Sequence, residues 1–109
     1  MKDLVLDGVD QRLCEVRISD LSFCLHINRL LALTKGGARK SLLKICENAD
    51  ILGVALSLNA CPVRTDLYPE SMSTEWLTEW YERFGFEKFI SDHHYYYFMS
   101  NVMLRRPHA

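Results

Sequence analysis

Between Leu13 and Leu58 the hydrophobic period changes twice, and no other feature narrows the possible folds of this chain so far. Leu13 to Ser19 alternates, with Cys14, Val16 and Ile18 on one side and Glu15 and Arg17 on the other. After Asp20, Leu21, Phe23, Leu25 and Ile27 alternate with Ser22, Cys24, His26 and Asn28, and the segment runs on into Leu30 to Leu33. Period two is the mark of a half-buried strand, and the short connection at Ser19-Asp20 predicts an antiparallel hairpin. At Thr34-Lys35-Gly36-Gly37-Ala38 the period lengthens, so that Ala38, Leu42, Ile45, Cys46 and Ala49 share one face of an amphipathic helix. That pattern gives way near Asn48 to Asp50, and Ile51 to Leu58 reads as a strand again. Strand, glycine turn, helix and strand in this order predict a β-α-β unit with parallel strands.

The flanks fill in the rest. Leu4 to Leu6 can make a short strand, with Gly8 and Asp10 in the turn after it, and the stretch from Ala60 to Ser73 has no periodicity and reads as a loop. A second helix is expected from Ser73, with Trp76, Leu77, Trp80, Tyr81 and Phe84 on its apolar face and Gly85 at its end. Glu87 to Ser91 and Tyr95 to Arg105 then close the chain as strands. The expectation is one α/β (α+β) domain over residues 1–109, with a mixed, mostly antiparallel sheet and two main helices in the order β-β-α-β-α-β-β. A length of 109 residues leaves no room for a second core.

Composition excludes several classes of function. A net charge of −1 gives no global field to hold a nucleic acid or an anionic membrane, so neither partner is expected. The basic residues gather only at Lys35, Arg39, Lys40 and Lys44 and at the tail pair Arg105 and Arg106, which reads as solvated. No apolar run reaches the 18 or so residues of a membrane span, and the start Met1-Lys2-Asp3 lacks the basic-then-apolar order of a signal peptide, so a cytoplasmic location is expected. Cys14, Cys24, Cys46 and Cys61 form no C-x-x-C pair and read as reduced, mostly buried thiols. His93 and His94 would point to opposite faces of a strand, so no metal site is expected. The aromatic run from Tyr95 to Phe98 reads as sheet packing or a subunit contact.

The turn from Thr34 to Ala38 carries the most chemistry. Two glycines where a strand enters a helix allow close backbone approach to a ligand, and the first-turn amides lack intrahelical acceptors. With Lys35, Arg39 and Lys40 beside it, such a turn suits a phosphate or pyrophosphate. The plain alternative is a tight turn with solvated lysines. It is neither a P-loop nor G-x-G-x-x-G.

Glu75 to Phe86, read as E-W-L-T-E-W-Y-E-R-F-G-F, together with Val102-Met103-Leu104-Arg105-Arg106-Pro107, resembles the C-terminal half of the GNAT superfamily of acyl-CoA-dependent N-acyltransferases. The glycine and alanine of Gly37-Ala38 and the pair Leu42-Leu43 resemble that family's pyrophosphate-binding turn, with Leu33 where the family has Arg or Gln. The resemblance spans roughly Leu21 to Pro107. It implies acetyl-CoA as co-substrate, bound by Leu31, Leu33, Thr34, Lys35, Gly36, Gly37, Ala38, Arg39, Lys40 and Asn59. It implies Tyr81 as the group that protonates the departing thiolate, a task for which a phenol of pKa about 10 stays protonated at neutral pH. His26, on the polar stripe of the long strand, is the leading candidate for the base that receives the amine's proton, ahead of Glu15 and Asp20.

Two helices usual in that family between its first two strands have no counterpart here. An open acceptor site follows, suited to an amine on a protein or a small molecule, or completed by a second copy in a homodimer. The competing expectation is a catalytically silent module of the same fold that binds or inhibits. The loop carrying Arg64, Asp66 and Tyr68 is either an acceptor-recognition loop or a plain connector.

Overall fold

The computed structural model describes residues 1–21, 23–62, 73–89 and 101–108. Within them the order is α1 (Lys2–Val5), β1 (Cys14–Asp20), β2 (Leu25–Ala32), α2 (Gly37–Leu52), β3 (Leu56–Asn59), α3 (Thr74–Glu82), β4 (Glu87–Lys88) and β5 (Val102–Arg105). This is the mixed α+β architecture expected from the change of period.

The strands form one five-stranded sheet in the order β1-β2-β3-β5-β4. β1 pairs antiparallel with β2, β2 parallel with β3, β3 antiparallel with β5, and β5 antiparallel with β4. The parallel pair is the one joined through α2, because only a crossover can bring two strands side by side in the same direction. β1 and β2 are joined by a turn that bonds the Leu21 amide to the Cys24 carbonyl at 2.9 Å, so the hairpin bends slightly later than Ser19-Asp20.

One core binds these parts together. Val16, Ile18, Leu25, Ile27, Leu56, Leu58 and Met103 meet Leu42, Ile45, Cys46 and Ala49 of α2 and Leu77 and Tyr81 of α3. The helix face read from the sequence is the buried face of α2. On α3, Leu77 and Tyr81 are buried while Trp76 is exposed; Ser73 caps the helix by accepting from the Trp76 amide at 3.0 Å.

Three expectations are corrected. Leu4 to Leu6 is not a strand: Lys2–Val5 is a helical turn whose Val5 amide reaches the Met1 carbonyl at 3.2 Å. Val5 is buried, and the Asn48 amide holds the Val5 and Asp7 carbonyls at 2.8 Å each. Three apolar residues in a row carry no period, so a contact 43 positions away decides their conformation. Second, the strand expected over Ile51 to Leu58 is only Leu56–Asn59. α2 continues through Leu52 with Ile51 on its solvent side, and Gly53 in the left-handed region (φ 69°) stops it.

Third, the tail arginines are not both solvated. Arg105 is 4% exposed; its guanidinium meets the Asp50 carboxylate through Nη1 at 2.7 Å and Nη2 at 3.0 Å and donates through Nε to the Phe84 carbonyl at 2.6 Å. Asp50 also accepts the His108 amide at 2.8 Å. The pair ties the end of α2, the turn after α3 and β5 into one joint. β5 lies between β3 and β4, so residues 102–104 are an interior strand rather than an open edge. The residues 90–100 and the loop residues 63–72 lie outside the described set, and with them the aromatic run, the remainder of both closing strands and Arg64, Asp66 and Tyr68.

Candidate functional site

The partner registers show where the sheet opens. β1 and β2 run in step from Cys14 with Ala32 to Arg17 with Arg29, then shift so that Ile18 meets Ile27. Asn28 is therefore an extra residue on β2, a bulge that bends the strand and increases its twist. β2 pairs with β3 only at Leu25 with Leu56, His26 with Ser57, and Ile27 with Leu58. Pairing ends at the residue before the bulge, and beyond it the two parallel strands part.

The gap is a cleft of about 230 Å³ lined by residues 27–31 of β2, Leu58 and Asn59 of β3, Cys61, and Tyr81 from α3. Its β2 wall has no strand partner on the β3 side past Ile27 among the described residues, so an extended ligand could take up backbone hydrogen bonds there. Asn59 Oδ1 is buried without a hydrogen-bond partner among the described residues. A buried acceptor left unmatched in a cleft wall is costly unless a ligand supplies a donor.

Tyr81 closes the floor. It is 8% exposed, stacks edge-on against Trp80 and Phe86 with ring centroids 5.2 and 5.7 Å away, and burial pushes its phenol up to about 12. It is thus a neutral proton donor at any physiological pH.

Past the cleft, β2 leads directly into the glycine turn. Gly36 takes the left-handed conformation (φ 76°) that an L side chain rarely adopts. Gly37 is required for another reason: a Cβ there would lie 2.1 Å from the Leu13 carbonyl oxygen, which accepts the amides of Leu33 and Thr34. The Gly37 amide goes to the Thr34 carbonyl and the Lys40 amide to the Gly36 carbonyl, whereas those of Ala38 and Arg39 have no acceptor among the described residues. Lys35, Arg39 and Lys40 are exposed, and none meets a carboxylate within ion-pair distance among the described residues.

The structure thus brings Leu31, Asn59 and Tyr81 to one cleft, whereas Leu33 to Lys40 follow β2 in the chain and are not among the residues that line it. His26 does not line the cleft. It is 3% exposed, on the sheet face opposite Leu25 and Ile27, with Nδ1 2.9 Å from Ser57 Oγ, which is also 3.3 Å from Cys24 Sγ. Burial holds the imidazole below its ordinary value, so it is neutral near pH 7. Glu15 is engaged by two arginines. None of the four cysteines is in a disulfide; Cys14, Cys24 and Cys46 are buried and Cys61 is exposed at the cleft. Among the described residues no group of three or more histidine, cysteine or acidic side chains could hold a metal, and no helix is long and apolar enough to cross a membrane.

Sequence reasoning missed Asn28, Arg29 and Cys61 as lining residues. Two polar residues in succession, Asn28-Arg29, inside an otherwise alternating strand are the signal that could have placed the bulge.

No protein-family model matches this sequence, and no curated protein matches it. Among solved structures, the anti-CRISPR protein AcrVA5 has the same fold, with a TM-score of 0.63 and 19% identity over 88% of this chain and 93% of that one.

Proposed function

We propose that the chain is an N-acetyltransferase of the GNAT type, which holds acetyl-CoA in the cleft between β2 and β3 and passes its acetyl group to an amine. The observation that carries this reading is the parting of two parallel strands at the Asn28 bulge, directly upstream of a helix that opens on Gly36-Gly37. A cleft with one unpaired strand wall suits the amide-bearing arm of the co-substrate. The amides of Ala38 and Arg39, without an acceptor among the described residues, and the side chains of Lys35, Arg39 and Lys40 around them suit its pyrophosphate.

In this arrangement the amine attacks the thioester carbonyl, and donors on the β2 wall receive the oxyanion. The thiolate leaves toward Tyr81, whose buried phenol donates the proton. His26, off the cleft and bonded to Ser57, is a positioning residue for β2 and β3 in this scheme. The amine loses its proton to water at the open mouth.

Isothermal titration with acetyl-CoA and a thiol-release assay with a panel of peptide amines test the proposal. Micromolar binding and amine-dependent release of CoA are expected; no binding overturns it. A second reading, an inhibitor module of the same fold, is raised by one observation, namely that a protein of matching fold is an anti-CRISPR protein. Failure to bind acetyl-CoA by a folded chain would select that reading.

A further inference from the structure

Beside the cleft, Arg17 of β1 sits directly opposite Arg29 of β2. Like charges facing each other across a ladder are destabilising, and a single carboxylate lies between them. Glu15 Oε1 is 3.1 Å from Arg17 Nη2 and Glu15 Oε2 is 3.2 Å from Arg29 Nε. The cluster keeps a charge of +1. Both guanidiniums are more than half exposed, and Arg29 lines the cleft.

Glu15 reaches Arg29 at Nε, and one carboxylate shared between two exposed guanidiniums cannot neutralise both. Glu15 competes for this guanidinium, whose planar fork can grip an incoming carboxylate through two parallel hydrogen bonds. Asn28 adds rigidity, because its side-chain amide is hydrogen-bonded to Ser19 Oγ, beside the same cluster.

Resting on the acetyltransferase reading above, we infer that the acceptor is a lysine or terminal amine in an acidic protein segment, with a neighbouring carboxylate gripped by Arg29 and drawn in by Arg17. A nucleic acid fits this surface less well. The cluster offers one net charge with a carboxylate in its centre, and a phosphate track needs several cations in succession.

The test compares three short peptides, each with one lysine flanked by Glu, by Gln or by Lys, in a thiol-release assay with acetyl-CoA and the full chain. A charge-assisted pair predicts a kcat/KM for the Glu peptide about tenfold above that for the Gln peptide, and lower again for the Lys peptide. Arg29→Gln should erase the preference between the Glu and Gln peptides, read as the ratio of their kcat/KM values. Glu15→Gln should enlarge the preference several-fold, since it removes the competing carboxylate; a merely structural role for the cluster would weaken every peptide alike. Equal rates on all three peptides, faster turnover of the Lys peptide, or acetyl-CoA binding with no peptide acetylated overturns the inference and leaves the cofactor reading standing. Failure to bind acetyl-CoA removes both.

Discussion

Tyr81 and Gly37 show how one residue can serve both the fold and the site. Tyr81 belongs to the core by its ring and to the cleft by its position, so only the hydroxyl separates the two roles. Tyr81→Phe should lower kcat about 100-fold with little change in the dissociation constant of acetyl-CoA and less than about 1 kcal/mol of stability. Because the phenol lies near 12, its loss should leave the pH–rate profile below pH 10 unchanged in shape. Steady-state kinetics of the two proteins across that range would check this, and equal kcat values would return Tyr81 to the core alone. The two glycines behave differently. Gly37→Ala forces a methyl into the Leu13 carbonyl and should cost about 3 kcal/mol or more; Gly36→Ala meets open space and only the left-handed strain, about 1 kcal/mol. Urea titration of both variants separates them. Binding at the turn is therefore better probed by Arg39→Glu than by any change at Gly37.

At the scale of elements, the joint between Asp50 and Arg105 holds α2, the turn after α3 and β5 together. Removing a partner of a buried arginine strands its charge, and Asp50→Asn should cost about 2 kcal/mol, less than a fully buried pair because Asp50 is partly exposed. The Arg105 guanidinium holds the Asp50 carboxyl below its ordinary value. Its contribution is thus complete above the unfolded carboxylate value, about 3.9, and is lost as pH falls through the depressed folded value. The gap between parent and variant, followed by urea midpoints at pH 7, 5 and 3, should stay constant over the first two and narrow at the third. A gap that persists unchanged to pH 2 would assign the effect to packing.

Across the whole molecule, a ligand that fills the cleft bridges β2, β3 and Tyr81 of α3 beyond the point where the two strands stop pairing. Acetyl-CoA at a hundredfold excess over its dissociation constant should stabilise the fold by about 2.7 kcal/mol. Scanning calorimetry should then show a rise in Tm of about 10 °C for a chain of this size. A Tm indifferent to acetyl-CoA would contradict the cleft assignment. The self-association expected from residues 95–104 loses part of its basis, since 102–104 form an interior strand, and light scattering at micromolar concentration tests what remains.

Local patterning was enough to place β1, β2 and α2, the parallel relation of β2 and β3, the Ser73 cap and the buried positions of Leu77 and Tyr81 on α3, though not Trp76, which is exposed. Each of these depends on residues close in sequence or on a crossover that permits one geometry. The sequence also singled out Leu31, Asn59 and Tyr81, and it is the tertiary structure that places them at one cleft. What tertiary structure alone decided were the helical form of Lys2–Val5, the burial of Arg105 against Asp50 and the departure of His26 from the cleft. A short apolar run takes its conformation from what covers it, and a charged side chain is buried only where a distant partner meets it. His26 and Ile27 are neighbours in the chain, yet the pleat sends one to each face of the sheet, and the bulge at Asn28 opens the cleft beside only one of them.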